Sequence, residues 1–76
     1  MKAWLKYNKC TTWRGRVKII YLYRSLTSCT MRETASYFKI SLGAVSEALL
    51  LANHLASVKH IKTRRAAVNF IKKKGY

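Results

Sequence analysis

Two helix-start signals stand one short helix apart in the middle of the chain, and they leave few choices for what surrounds them. The first is Thr30-Met31-Arg32-Glu33, which has the form of a capping box. The Thr30 hydroxyl accepts from the Glu33 amide while the Glu33 carboxylate reaches back to the Thr30 amide, so two orphan donors are satisfied at once. A short helix is predicted from there to about Phe38. Ser41 is a second N-cap, and from Leu42 a longer helix, to about Ala56, places Val45, Ala48, Leu49, Ala52 and Ala56 on one apolar face. Only Lys39-Ile40 joins the two. Paired capped helices with so short a connection have the form of a helix-turn-helix.

Spacing inside this unit carries more than its composition. Ala35 falls in the middle of the first helix, where the second must pass closely and a larger side chain would hold them apart. Val45 is expected to pack into that junction, with Phe38 and Ile40 closing it from the turn. This pattern of Ala35, Ile40-Ser41 and Val45 resembles the DNA-binding helix-turn-helix of phage and plasmid regulators, including the ParB/KorB-like and repressor-like families. The resemblance covers roughly a third of the chain. It implies a major-groove recognition helix. The family usually has Gly at the turn, where the backbone adopts a positive φ; here the position is Lys39, at a cost on the order of 1 kcal/mol.

Charge points the same way independently. Sixteen Lys and Arg stand against two acids, for a net charge of +14 over 76 residues. Such a chain repels itself and calls for a polyanion: nucleic acid first, an anionic membrane second, an acidic protein surface third. The length makes one domain, near the lower limit at which a core alone stabilises a fold. Half the residues are apolar and there is no proline, so helices are unobstructed. The expected fold class is all-α: a small helix-turn-helix domain of about four helices with basic N- and C-terminal segments.

No secretory signal is visible in MKAWLKYNKC, and the longest apolar run, Ala48 to Ala52, is too short to span a bilayer. A cytoplasmic protein with no membrane partner is expected, in which Cys10 and Cys29 stay reduced beside a small core. Cys10, Cys29, His54 and His60 lack the spacing of a zinc site.

Residues 1–13 read as a basic aromatic arm. Lys2, Lys6, Lys9, Arg14 and Arg16 alternate with Trp4, Leu5, Tyr7 and Trp13, so the cations can meet phosphates while Trp4, Leu5 and Trp13 wrap back over the core. Arg16 to Leu26 is predicted to be a helix capped by Thr11 or Thr12 and buried on most sides. The same run has the composition of a buried strand, but a helix-turn-helix needs a supporting helix and a lone strand would lack partners. Ser25 to Cys29 is a connecting loop.

The outward side of the second helix of the unit carries Gly43, Ser46, Glu47, Leu50 and His54. In a major groove Glu47 can accept from a cytosine amino group, Ser46 can read several bases, Gly43 permits close approach, and Leu42 or Leu50 can touch a thymine methyl. Ser41 starts this reading surface. No Lys or Arg occurs between Ile40 and Val58, so affinity would come from the flanking blocks, Lys2–Lys18 and Lys59–Lys74, acting on phosphates. Leu50 and Leu51 lie beside the core stripe and are expected to pack on the C-terminal helix or on a second subunit.

Ser57 to Lys62 returns as a loop or a short extended segment. Thr63 then caps a last helix, Arg64 to about Lys73, with Ala67, Val68 and Ile71 inward, Phe70 beside them and Ile61 stapling its entry. Lys72, Lys73 and Lys74 suit the negative end of the helix dipole and Gly75 ends it. Arg64 and Arg65 oppose the dipole, which makes sense if phosphates sit nearby. Arg32, Lys39 and Lys62 complete the candidate phosphate contacts. With two carboxylates, one committed to a cap, and no glycine-rich phosphate loop, neither catalysis nor a cofactor is expected. The expected partner is double-stranded DNA, bound by a homodimer with Ser41 to Leu50 in the groove and basic arms clamping from both ends. The leading rival is the same fold gripping a host transcription protein such as RNA polymerase, or a ribonucleoprotein component binding by charge. A membrane-active helix would need one long amphipathic face, which short capped segments do not provide.

Overall fold

The structure, a computed structural model, describes residues 2–75. Five helices follow one another: α1 (Ala3–Lys9), α2 (Trp13–Thr27), α3 (Met31–Phe38), α4 (Leu42–Ala52) and α5 (Arg64–Lys74). No strand occurs among the described residues. The fold is all-α, with one helix more than the sequence suggested.

The axis of the molecule is α2, which packs against each of the other four helices and most extensively against α4. Thr12 caps it by accepting from the Gly15 amide, so the helix starts at Trp13, earlier than Arg16. Val17, Ile19, Ile20 and Leu22 are all essentially inaccessible to solvent. A helix buried on most of its circumference needs apolar residues all round, and this is why its sequence also passes for a strand.

The extra helix is α1, within the stretch expected to be a basic aromatic arm. Ala3 and Tyr7, one helical turn apart, go into the core. Phe38 packs against the Tyr7 ring with centroids 4.8 Å apart, and the Arg16 guanidinium lies 4.9 Å from the same ring. Because Ala3 and Tyr7 take the inward face, Trp4 and Leu5 are turned away from it. They stay 43% and 44% exposed, and Trp13 stays 40% exposed, so these three side chains do not close the core as expected.

The capping box at α3 is complete. Glu33 N–H donates to Thr30 Oγ1 and Thr30 N–H to Glu33 Oε1, both at 3.1 Å. The Glu33 carboxyl is held below its ordinary range, by the bond from the Thr30 backbone N–H most and by the Thr30 side chain next. A carboxylate lowered by folding contributes stability that is complete above its unfolded pKa and is lost as the pH falls through the folded one. Acid is therefore expected to loosen α3. Glu33→Gln keeps an acceptor in the box and should remove that acid step from the helical circular dichroism. An unaltered step in the variant would assign it to another group.

At the other end of α3, Lys39 adopts the left-handed conformation with φ 57°. Its N–H donates to Ser36 O at 3.3 Å and Ile40 N–H donates to Ala35 O at 3.0 Å, the two bonds of a Schellman motif. This is where glycine costs least, so Lys39→Gly is expected to raise stability by about 1 kcal/mol, read from the denaturant midpoint. A loss of stability would mean that the turn takes another form in solution.

Beyond the turn, α4 leaves at 107° to α3, within the range of helix-turn-helix pairs. Ala35, Phe38 and Val45 are buried at the crossing, Val45 completely, and Ile40 is half-buried. No single helix among the described residues is long and apolar enough to cross a membrane; α3 and α4 together approach that composition only by ignoring the bend.

The second helix of the unit ends at Ala52, one turn before Ala56, which is exposed. From Asn53 the chain folds into successive turns that carry Val58 and Ile61 into the core, at 0% and 1% exposure. Burying two such side chains is worth roughly 1.5–3 kcal/mol each, more than another turn of helix through Asn53 and His54 would bring. Ile61 is further held by the Tyr21 hydroxyl, which donates to its carbonyl. Thr63 then caps α5 through the Ala66 amide. Of the other helices, α5 packs on α2 alone, with Ala67 buried and Val68, Phe70 and Ile71 half-buried.

Candidate nucleic-acid interface

The outward side of α4 is open to solvent. Leu42 is 48% and Leu50 64% exposed, Gly43 and Glu47 are exposed, and Ser46 is half-buried at the edge of the face. Val45, Ala48 and Ala52 occupy the opposite side, all fully buried, so the helix is fixed in rotation about its axis. The Ser41 hydroxyl accepts from the Ala44 amide at 3.1 Å. Its oxygen therefore serves the cap, leaving its proton and one lone pair to offer a partner. His54 lies past the end of the helix and is exposed in the following turn.

Leu50 does not pack on the C-terminal helix. Both α4 and α5 lie against α2, and neither packs on the other. Leu51, one residue on, points back far enough to join the core margin. Helical geometry separates the two by about 100°, which accounts for their different fates.

Cations surround this face without entering it. Arg32 is exposed on the first turn of α3 and Lys39 is exposed in the turn that leads into α4. On the flank where Leu49 emerges from α4, Lys62 and Arg64 line a cleft together with Arg24 from the last turn of α2. Arg65, the next residue on α5, is exposed and does not line that cleft. The terminal blocks do something different. Lys6, Lys18 and Lys74 line a second cleft where α1, α2 and the end of α5 meet. Eleven residues of helix carry Lys72 and Lys73 about 12–14 Å from Arg64. The two basic blocks thus adjoin one another, rather than gripping α4 from its two ends.

The remaining candidates divide by what they already hold. Lys2, Lys9 and Arg14 are exposed on α1 and the start of α2, and Lys6 is half-buried. Arg16 is drawn inward: its Nε donates to Cys10 O at 3.1 Å and its guanidinium covers Tyr7. Its first role is to join α1 to α2. A Cβ added at Gly15 would lie 3.2 Å from Thr12 Oγ1 and 3.3 Å from Cys10 Sγ, so this joint is tightly built.

Arg24 is not among the residues the sequence points to, and Lys18 enters there only as the end of the first basic block, because both fall within a helix dominated by its apolar residues. The signal was there: basic side chains in a nearly all-buried helix must reach an edge of the core. An aromatic group lies apart from the α4 face. Tyr37 stacks on Tyr23 at 4.2 Å and its hydroxyl accepts from the Trp4 amide at 3.2 Å. Burial first, then a hydrogen bond with Cys29, pushes the Tyr23 phenol up, so it is neutral at ordinary pH. Cys10 and Cys29 are free thiols, both half-buried. Among the described residues no three His, Cys, Asp or Glu side chains are gathered closely enough to hold a metal ion.

No protein-family model, curated protein or solved structure matches the chain.

Proposed function

We propose that the protein binds double-stranded DNA with a sequence preference, as a small transcriptional regulator of the phage or plasmid kind working in the cytoplasm. The observation that carries this reading is the 107° pair of short helices with the outer face of α4 uncommitted, in a chain of net charge +14. In this reading α4 enters the major groove. Leu42, Gly43, Ser46, Glu47 and Leu50 face base edges, while Arg32, Lys39, Lys62, Arg64 and Arg65 hold the flanking phosphates. Lys2, Lys9, Arg14, Lys72 and Lys73 add to the long-range field that draws the duplex in. The exposed Leu50 offers a contact to a second copy, since one recognition helix reads few base pairs.

A rival of another class has its own support. The outer face of α4 carries no cation, and Trp4, Leu5, Trp13 and Tyr37 are exposed; both suit a protein partner such as a component of the host transcription machinery. Titrating a fluorescently labelled duplex with the protein at low salt separates the two. Saturable binding supports DNA. Absence of duplex binding, together with retention of the protein on purified RNA polymerase, supports the rival.

A further inference from the structure

We infer that the cleft between the last turn of α2 and the first turn of α5 is a built phosphate site held by Arg24, Lys62 and Arg64. The cleft has a volume of about 420 Å³, and its lining includes those three cations with Ser25 and Ser28. No carboxylate lines it. Three like charges brought together without a counter-charge raise the energy of the folded chain, and an oxyanion in their midst lowers it.

Three features show that the site is prepared. First, Arg24 Nε is shielded from solvent and makes no hydrogen bond. A buried guanidinium N–H without a partner is a costly arrangement, and an anion in the adjoining cleft supplies the acceptor. Second, the two walls are tied together beneath the opening by the Tyr21 hydroxyl, which donates from α2 to Ile61 O in the segment entering α5. Third, Thr63 occupies the Ala66 amide and, among the described residues, no bond engages the amides of Arg64 and Arg65, so the positive end of an eleven-residue helix is left at Arg64 with two donors free. A point charge alone would need none of this. A tetrahedral phosphate uses several donors arriving from different directions.

The chemistry is that of a phosphate group, whether a free ion or a phosphodiester of a nucleic-acid strand. The strand as source rests on the DNA-binding reading above; Leu49 of α4 lines the same cleft, so a phosphate there would lie beside the proposed recognition helix.

The test is heteronuclear NMR on the ¹⁵N-labelled full chain. It follows the Arg24 Nε–H signal and the Arg64 and Arg65 amides in three titrations: sodium phosphate, sodium chloride at matched ionic strength, and a short duplex. A saturable shift with phosphate that chloride does not reproduce is expected. Arg64→Ala and Lys62→Ala should each weaken it roughly tenfold, and Lys59→Ala, outside the cleft, should leave it unchanged. Arg24→Gln should abolish it; the two exposed substitutions keep the test decisive if that variant fails to fold. Shifts with the duplex alone would also support the site and assign it to phosphodiesters. Saturation with phosphate while no duplex binds would uphold the cleft and refute the DNA reading. No saturable shift with either phosphate or duplex, or a phosphate shift that chloride reproduces, would overturn the proposal.

Discussion

Raising the salt from about 50 to about 200 mM is expected to weaken duplex binding by roughly 150- to 500-fold. Each phosphate neutralised by Lys or Arg releases condensed counterions and contributes about 0.9 to the slope of log K against log salt. Five cations, Arg32, Lys39, Lys62, Arg64 and Arg65, flank the proposed reading face, giving a slope of about −4.5 with one phosphate each, or about −3.6 where Lys62 and Arg64 share one. The terminal lysines are counted separately because Lys6 and Lys18 gather with Lys74 at the far end of α5. Were all twelve candidate cations in contact, the slope would approach roughly −11. The measured value therefore reports which surface is used. Replacing Arg64 and Arg65 together with Ala should flatten the slope by about 2 and weaken all duplex sequences alike. An unaltered slope in that variant would remove both residues from the phosphate contacts.

Replacing Ile20 with Ala is expected to remove about 2–5 kcal/mol of stability, measured by denaturant unfolding. The side chain is completely buried on α2, the one helix that packs against all the others. A 76-residue domain commands roughly 4–11 kcal/mol in total, so this single truncation removes a large share of it. Ile71 on α5 makes the informative comparison, because it is only half-buried on a helix that packs against α2 alone among the helices. Ile71→Ala should cost less than half as much. Equal losses at the two positions would mean that the core is not centred on α2.

What could be read from the sequence was whatever is decided locally. Thr30 and Glu33 satisfy each other within one turn, and Ser41 and Thr63 each cap the amide three residues on, so these helix starts are visible in a few letters. The tight junction was legible too, because a small residue at Ala35 facing Val45 is a statement about two adjacent helices. The end of α4 was not. It is set by Val58 and Ile61, which enter the core only if the helix stops at Ala52, and that is a tertiary effect. The first helix was missed because its aromatic and basic residues were read by type. By face, Ala3 and Tyr7 make the inward stripe and Trp4 falls outside it. The cleft was half visible. Lys62 and Arg64 stood out beside a cap, whereas Arg24 joins them only through the way α5 is laid along α2.

The proposed division of labour places base reading on α4 and affinity on the cations around it. Selection of a randomised duplex library by the wild-type protein and by Glu47→Ala tests this most directly. The account predicts that the wild type enriches a defined motif and that Glu47→Ala relaxes the preference at one position, by about 1–3 kcal/mol, while leaving the salt slope as it was. Binding that enriches no sequence, or an identical motif for both proteins, would contradict the assignment of Glu47 and its neighbours on α4 as the reading surface.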